Sequence, residues 1–285
     1  MAKKSKMKVM ESAPMNEVPK KKDDSIVISL DKLLIPFAIL LAGLMIALAV
    51  IFSLRNAPAK TTTDTTGSTT TGTTGTTGTP TATGDGSASI SLDNDPYIGD
   101  KSKAKIAIVE FSDYECPYCQ MFFQQTEADV LKNYIDTNKA ILVYRDYPLS
   151  FHEPNATHES MAANCVFDQG GNAMYWKYHD LLFQNTKANG AGLATTASGE
   201  TDALKKYAGQ VGADVNKFMT CYNSNKYADE ITKDEADGTA AGITGTPGFI
   251  IGKFDSSGNI KNGVVLSGAY PYANFQVVLD SLLAQ

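Results

Sequence analysis

Cys116 and Cys119 stand two residues apart in the run Glu110-Phe111-Ser112-Asp113-Tyr114-Glu115-Cys116-Pro117-Tyr118-Cys119. Two thiols at that spacing can close a small disulfide ring with little rearrangement of the chain, which is the chemistry of reversible thiol–disulfide exchange. The flanking residues suggest separate roles. A β-rich run, residues 105–111, leads in, and a helix-like run beginning Gln120-Met121-Phe122-Phe123 leads out. Cys116 thus falls where a helix begins, against unpaired backbone N–H groups and the positive end of the helix dipole. Both favour thiolate over thiol, so Cys116 is expected to have a lowered pKa and to act as the nucleophile. Pro117 suits the first helical turn, where its missing N–H costs nothing. The first expectation is a thiol–disulfide oxidoreductase.

A lone Cys-x-x-Cys also fits a zinc site, so the elements that position it carry the argument. The apolar run at 105–111 reads as a buried strand. Residues 116–138 read as a helix, with Met121, Phe122, Ala128, Val130, Leu131, Tyr134 and Ile135 on a wide apolar face. Residues 140–147 form a second strand, closed by Pro148, so the unit is βαβ with parallel strands. A helical block follows: 153–169, ended by Gly170-Gly171, then 173–184, 201–208, 214–222 and 225–241. The pattern then switches to a turn and strand within 245–252, a short strand at 263–266 and a closing helix at 270–283.

The N-terminal third is different in kind. Residues 1–32 carry Lys3, Lys4, Lys6, Lys8, Lys20, Lys21, Lys22 and Lys32 and little apolar periodicity, the pattern of a disordered tail. Residues 33–54 carry no charge and as a helix would span about 33 Å, enough to cross a bilayer. A transmembrane helix is therefore expected over 33–55. A cleaved signal peptide would have a shorter apolar stretch nearer the start. The lysines put the tail in the cytoplasm and the rest outside. Residues 56–89, rich in Thr and Gly, read as a tether with a reach of about 30 Å, and residues 90–285 as the folded domain. Four cysteines, all beyond the membrane segment, would sit in a compartment that tolerates disulfides. The net charge of −6 argues against a nucleic-acid partner.

The order βαβ, helices, ββα, with Cys-x-x-Cys after the first strand and Thr246-Pro247 before the third, resembles an α/β thioredoxin fold with a helical insertion, about 150–242. More narrowly, the chain is similar to the DsbA-like family of extracytoplasmic thiol–disulfide oxidoreductases, including membrane-tethered Gram-positive forms. The resemblance rests on Val109 through Cys119, on Ala162-Ala163-Asn164-Cys165 through Gln169-Gly170, on Tyr175-Trp176-Lys177-Tyr178-His179-Asp180-Leu181-Leu182-Phe183, and on Gly245-Thr246-Pro247. It covers about residues 95–285. It implies that Cys116 forms the mixed disulfide and Cys119 resolves it. It also implies that Pro247 is a cis-proline facing the site, that Thr246 pairs with the client chain, and that Pro117 and Tyr118 border the substrate. Glu110 would be the buried acid that helps move the proton of Cys119; without the resemblance it reads equally as a solvated strand-end charge. Pro117-Tyr118 stands where strong oxidants of the family carry Pro-His, which removes a positive charge. A potential below DsbA's roughly −120 mV and above thioredoxin's roughly −270 mV is expected.

Cys165 and Cys221 both fall in the inserted block. They are expected to form a structural disulfide, the other reading being two buried free thiols. A zinc site using all four cysteines conflicts with the place of Cys116 at the sheet edge. His152, His158 and His179 lack ligand spacing, so neither a metal nor a cofactor is expected. The anticipated partners are exported protein thiols and a membrane reoxidant of the DsbB or VKOR type, with a monomeric enzyme. Two rival functions stand beside disulfide formation. One is a reductase or isomerase. The other is a membrane-anchored client-binding module with a structural cysteine pair.

Overall fold

A computed structural model describes residues 81–82 and 86–285. The expected tail, transmembrane segment and most of the tether lie outside the described residues. Among the described residues no helix is long and apolar enough to cross a membrane.

The sheet has seven strands: β1 (Thr81–Ala82), β2 (Ser87–Ser91), β3 (Tyr97–Ile98), β4 (Ile106–Ser112), β5 (Ala140–Asp146), β6 (Gly248–Lys253) and β7 (Asn259–Ser267). Their order is β1-β2-β7-β6-β4-β5-β3. β4 and β5 are parallel, joined by a crossover helix α1 over 117–135, as the βαβ reading required. β6 pairs antiparallel with β4 on its other side. The central strand β4 is buried along its whole length, which is why it reads as a continuous apolar run rather than an alternation. The period of two still sorts its side chains. Ile106 and Ile108 join Leu142, Tyr144, Phe249 and Ile251 in the core under α1. Ala107, Val109 and Phe111 join Ile141, Val143 and Ile250 on the opposite face. Glu110 is in register with Tyr144 and Phe249 and belongs to the α1 side.

Beyond β5 come α2 (Asn155–Asn185), α3 (Ala197–Gln210), α4 (Val215–Asn223), α5 (Ala228–Ala240) and, after β7, α6 (Tyr272–Ala284). The expected break at Gly170-Gly171 is present inside α2, where Gly171 takes φ 57° and ψ −156°, a conformation that only glycine adopts readily. α3 begins earlier than its apolar pattern does, because Thr196 caps it by accepting a hydrogen bond from Gly199 N at 3.1 Å. α1 ends at Ile135, short of the expected 138, and includes π-helical turns at Phe123–Glu127 and Leu131–Ile135.

One boundary is corrected. Ordered structure begins before residue 90, with β2 at Ser87–Ser91 and β1 inside the stretch read as tether. The run Ser-Ala-Ser-Ile-Ser offers only Ala88 and Ile90 to the core. It becomes a strand because it pairs with β7, Ile90 opposite Ile260, a partner far away in sequence.

Cys165 on α2 and Cys221 on α4 form a disulfide with Cα atoms 5.8 Å apart. Its closed loop of 56 residues corresponds to about 4 kcal/mol on the chain-entropy model. The double substitution C165A/C221A is expected to lower the unfolding free energy in urea by an amount approaching that figure. A loss below about 1 kcal/mol would show that the bridge constrains little.

Candidate active site

Cys116 is the N-cap residue of α1, with extended backbone (φ −77°, ψ 121°) and Pro117 in the first turn. The strand-to-helix connection that carries it is held from below. Asp113, fully buried, accepts hydrogen bonds from Glu115 N at 2.8 Å, Leu149 N at 2.9 Å and His152 Nδ1 at 2.7 Å. Asn189 N donates to Glu115 O at 2.8 Å. The loop after α2 therefore also grips the site. The Glu115 carboxyl is pushed up to about 7, chiefly by burial.

Both active-site cysteines are free thiols. Cys116 is 3% exposed and Cys119 is fully covered. The Sγ of Cys116 lies 3.4 Å from the carbonyl oxygen of Thr246, and the Thr246–Pro247 peptide is cis. The Cys116 thiol is lowered to about 6. The largest cause is the hydrogen bond from the Cys119 thiol. Burial opposes it, and the Thr246 side chain and the backbone N–H groups of Cys119 and Tyr118 add to it. The backbone N–H groups of the helix N-terminus lower the thiol as the sequence suggested, but by less than the partner thiol and the Thr246 side chain. Cys119 moves the other way: burial first, then the Cys116 thiolate and the Glu110 charge, hold its thiol well above the usual range. The pair is split into an ionised outer sulfur and a protonated inner one, the division of labour that exchange chemistry needs.

Glu110 lies in the core beneath the pair, and its Oε2 has no hydrogen-bond partner. Burial pushes its carboxyl up to about 8, the nearby Ser112 hydroxyl works against this, and the Cys116 charge adds to it. It is not a solvated strand-end charge. Near neutrality it holds its proton within electrostatic reach of Cys119.

The expected site residues therefore meet. Cys116, Cys119, Pro117 and Tyr118 come from the start of α1, Glu110 from β4, and Thr246-Pro247 from the turn before β6. Tyr118 and Met121 expose apolar surface on α1, as does Phe151 (74% exposed) beside the His152 that braces Asp113, and Tyr270. Tyr270 belongs to the same corner: Thr126 Oγ1 on α1 donates to Tyr270 O at 3.0 Å. Sequence reading missed Asp113 and His152. A buried Asp three residues beyond a strand-end acid and a His two residues before a proline carry no spacing signal; only the fold brings them together.

The comparisons agree with this geometry. The model of a family described as thioredoxin matches residues 91–262. Among curated proteins, a Na(+)/H(+) antiporter NhaA of Salinispora tropica is 28% identical over 149 residues, which is 52% of this chain and 20% of that protein. The chain thus spans about a fifth of the length of the antiporters it matches. A Rickettsia felis protein named as a protein-disulfide oxidoreductase is 25% identical over 195 residues, 68% of this chain and 62% of that one. The crystal structure of Pseudomonas aeruginosa DsbA2 superposes with a TM-score of 0.52 at 27% identity, covering 66% of this chain and 94% of that one. Joined to the paired cysteines before α1, the cis-proline turn and the helical insertion, these matches place the chain in the thioredoxin family, as a DsbA-like member.

Proposed function

We propose that this protein is a membrane-anchored, extracytoplasmic thiol–disulfide oxidoreductase that forms disulfides in exported proteins. The observation that carries the reading is the split pair: an outer Cys116 lowered to about 6 against a buried, protonated Cys119, with Thr246 beside the outer sulfur. In the oxidising direction a client thiolate attacks Cys116 Sγ of the Cys116–Cys119 disulfide. Cys119 leaves with the electron pair and takes a proton. A second client thiolate then attacks the client sulfur of the mixed disulfide, closes the client's disulfide and releases Cys116 as thiolate. The enzyme has gained two electrons, and a membrane reoxidant of the DsbB or VKOR type would remove them.

The low value for Cys116 favours this direction. At pH 7 a thiol at about 6, against an ordinary value near 8.5, is held as thiolate, a stabilisation on the order of 1 kcal/mol. That stabilises the reduced form and makes the disulfide the better oxidant. The apolar rim of Tyr118, Met121, Phe151 and Tyr270 suits an unfolded client strand laid beside Thr246.

The test is made on the full chain in detergent. Iodoacetamide labelling of Cys116 is expected to rise with a midpoint near pH 6, and a glutathione titration to give a potential between about −120 and −270 mV. A potential at or below the thioredoxin value would instead favour a reductase. A Cys116 that neither alkylates nor exchanges would favour the client-binding reading.

A further inference from the structure

A carboxylate on the buried stripe of α1 has no place in the chemistry so far. The inward positions of α1 up to Val130 are Cys119, Phe122, Thr126, Glu127 and Val130, where an apolar residue would be the ordinary choice at 127. Glu127 is 3% exposed and closes the π-helical turn Phe123–Glu127, a local departure from α-geometry common at functional sites. One oxygen of Glu127, one nitrogen of His179 and one oxygen of Asp180 lie within 4.8 Å of one another. His179 is fully buried. Its Nδ1 is 3.2 Å from Asp180 Oδ1, and its Nε2 has no hydrogen-bond partner. The Asp180 side chain is 51% exposed. The Glu110 charge acts on both Cys119 and Glu127, and Glu127, His179 and the half-exposed Asp180 are grouped beyond it, with β4, α1 and α2 each contributing.

We propose that Glu127 relays protons between Glu110 and the pair of buried His179 and half-exposed Asp180, so that the buried Cys119 can gain or lose its proton without opening the fold. The inference rests on the thiol–disulfide reading above. When a client thiolate attacks Cys116, the client–Cys116 bond forms, the Cys116–Cys119 bond breaks, and the electron pair stays on Cys119 Sγ. Glu110 gives that sulfur its proton. Glu127 returns a proton to Glu110, and His179 passes one to Glu127 and is resupplied by Asp180 and water. Resolution of a mixed disulfide by Cys119 runs the same path outward. The groups facing Glu127 favour this use. Burial, then the charges of Glu110 and Asp180, all raise its carboxyl, which makes it a proton holder beside another. Burial lowers His179, against the hydrogen bond and charge of Asp180, so the ring is neutral and has one nitrogen to give a proton and one to take it. Glu127 touches neither client nor sulfur; it acts through Glu110.

The test follows resolution of the Cys116–glutathione mixed disulfide in the full chain, between pH 5 and 9. Its formation from reduced protein and oxidised glutathione is a separate, bimolecular phase. Glu127→Gln is expected to slow resolution about tenfold at pH 7, to shift the midpoint of its pH profile, and to be partly rescued by added imidazole, with the formation phase unchanged. Asp180→Asn, an exposed change that leaves the core alone, is expected to slow resolution about threefold, and Glu127→Asp to recover much of the rate. Resolution with parental rate and pH profile in both Glu127→Gln and Asp180→Asn overturns the relay. So does slowing that imidazole does not relieve and that comes with an unshifted profile, since that is what a packing defect would give. A parent chain that forms no mixed disulfide fails at the earlier phase, which overturns the thiol–disulfide reading itself and the relay with it.

Discussion

Glu110→Gln is expected to stabilise the protein near and above neutrality and to slow its chemistry. Burial holds the Glu110 carboxyl at about 8 in the folded chain, against 4.5 for the free group. An acid whose folded pKa is raised costs nothing below its unfolded value, where it is protonated in both states. Between 4.5 and 8 the unfolded chain ionises while the folded one does not, and stability falls with rising pH. By pH 7 the accumulated cost is about 3 kcal/mol, and it stops growing once the folded group ionises. Glutamine has nearly the same shape and cannot ionise. The variant should match the parent near pH 4.5 and exceed it progressively up to pH 8 in urea unfolding. The gain should be smaller in the disulfide form, because part of the shift comes from the Cys116 charge. Resolution of a Cys116 mixed disulfide should slow by about 100-fold, the ordinary worth of a general acid–base group. Stability lost for function is the expected pattern at an active site. A variant no more stable than the parent at any pH would mean that Glu110 has found a partner for its charge.

The parts of this fold that could be read from sequence are those whose signal is local. β4 reads as a strand because its residues are apolar and buried on both faces; the break in α2 reads from Gly170-Gly171; Cys116 at the start of α1 reads from the switch of period on either side of it. The unread parts depend on long-range partners. Ser87–Ser91 has the composition of a linker and becomes a strand only beside β7. Glu110 has no intrinsic mark of a buried acid. It was placed by resemblance, and its environment comes from Phe249, Tyr144 and α1, which meet it only in the folded sheet. Glu127 is less legible still. An acid on a helix reads as surface, and the π-helical turn that accompanies its inward position leaves no trace in the apolar pattern. The pairing of Cys165 with Cys221 could be anticipated from compartment and fold, but α2 and α4 must pack before the geometry exists.

Arg145 is the largest case of this kind and gives the second large effect. It sits near the end of β5, opposite Phe111 in the register with β4, and is fully buried. Its Nε donates to Asp95 Oδ2 at 2.6 Å, Nη1 to Asp237 Oδ2 at 3.0 Å, and Nη2 to Ser91 O at 2.8 Å and Asp93 Oδ2 at 3.3 Å. Asp234 Oδ1 is 3.6 Å from Nε. Lys233 closes the ring by pairing with Asp93 and Asp237. The guanidinium thus ties the loop before β3 and helix α5 to the strand that runs parallel to β4. Two cations face four aspartates, and the balance is already short. Asp95 is pushed up to about 6, by burial first, against the pull of Arg145, and Asp234 goes well above the carboxylate range, again by burial first. Arg145→Met keeps most of the volume and removes the charge. It is expected to cost about 3–5 kcal/mol at pH 7, because buried carboxylates lose their counterion. The sign of the pH dependence follows. Without Arg145 the folded pKa values of these acids rise further above their unfolded values, so the loss grows as pH rises from 5 to 8 and shrinks on acidification. Adding Asp95→Asn and Asp234→Asn to the variant should recover much of the loss at pH 7. A triple variant as unstable as Arg145→Met alone would place the cost in packing, and an Arg145→Met chain that unfolds like the parent would remove the network from the forces that hold β5 in place.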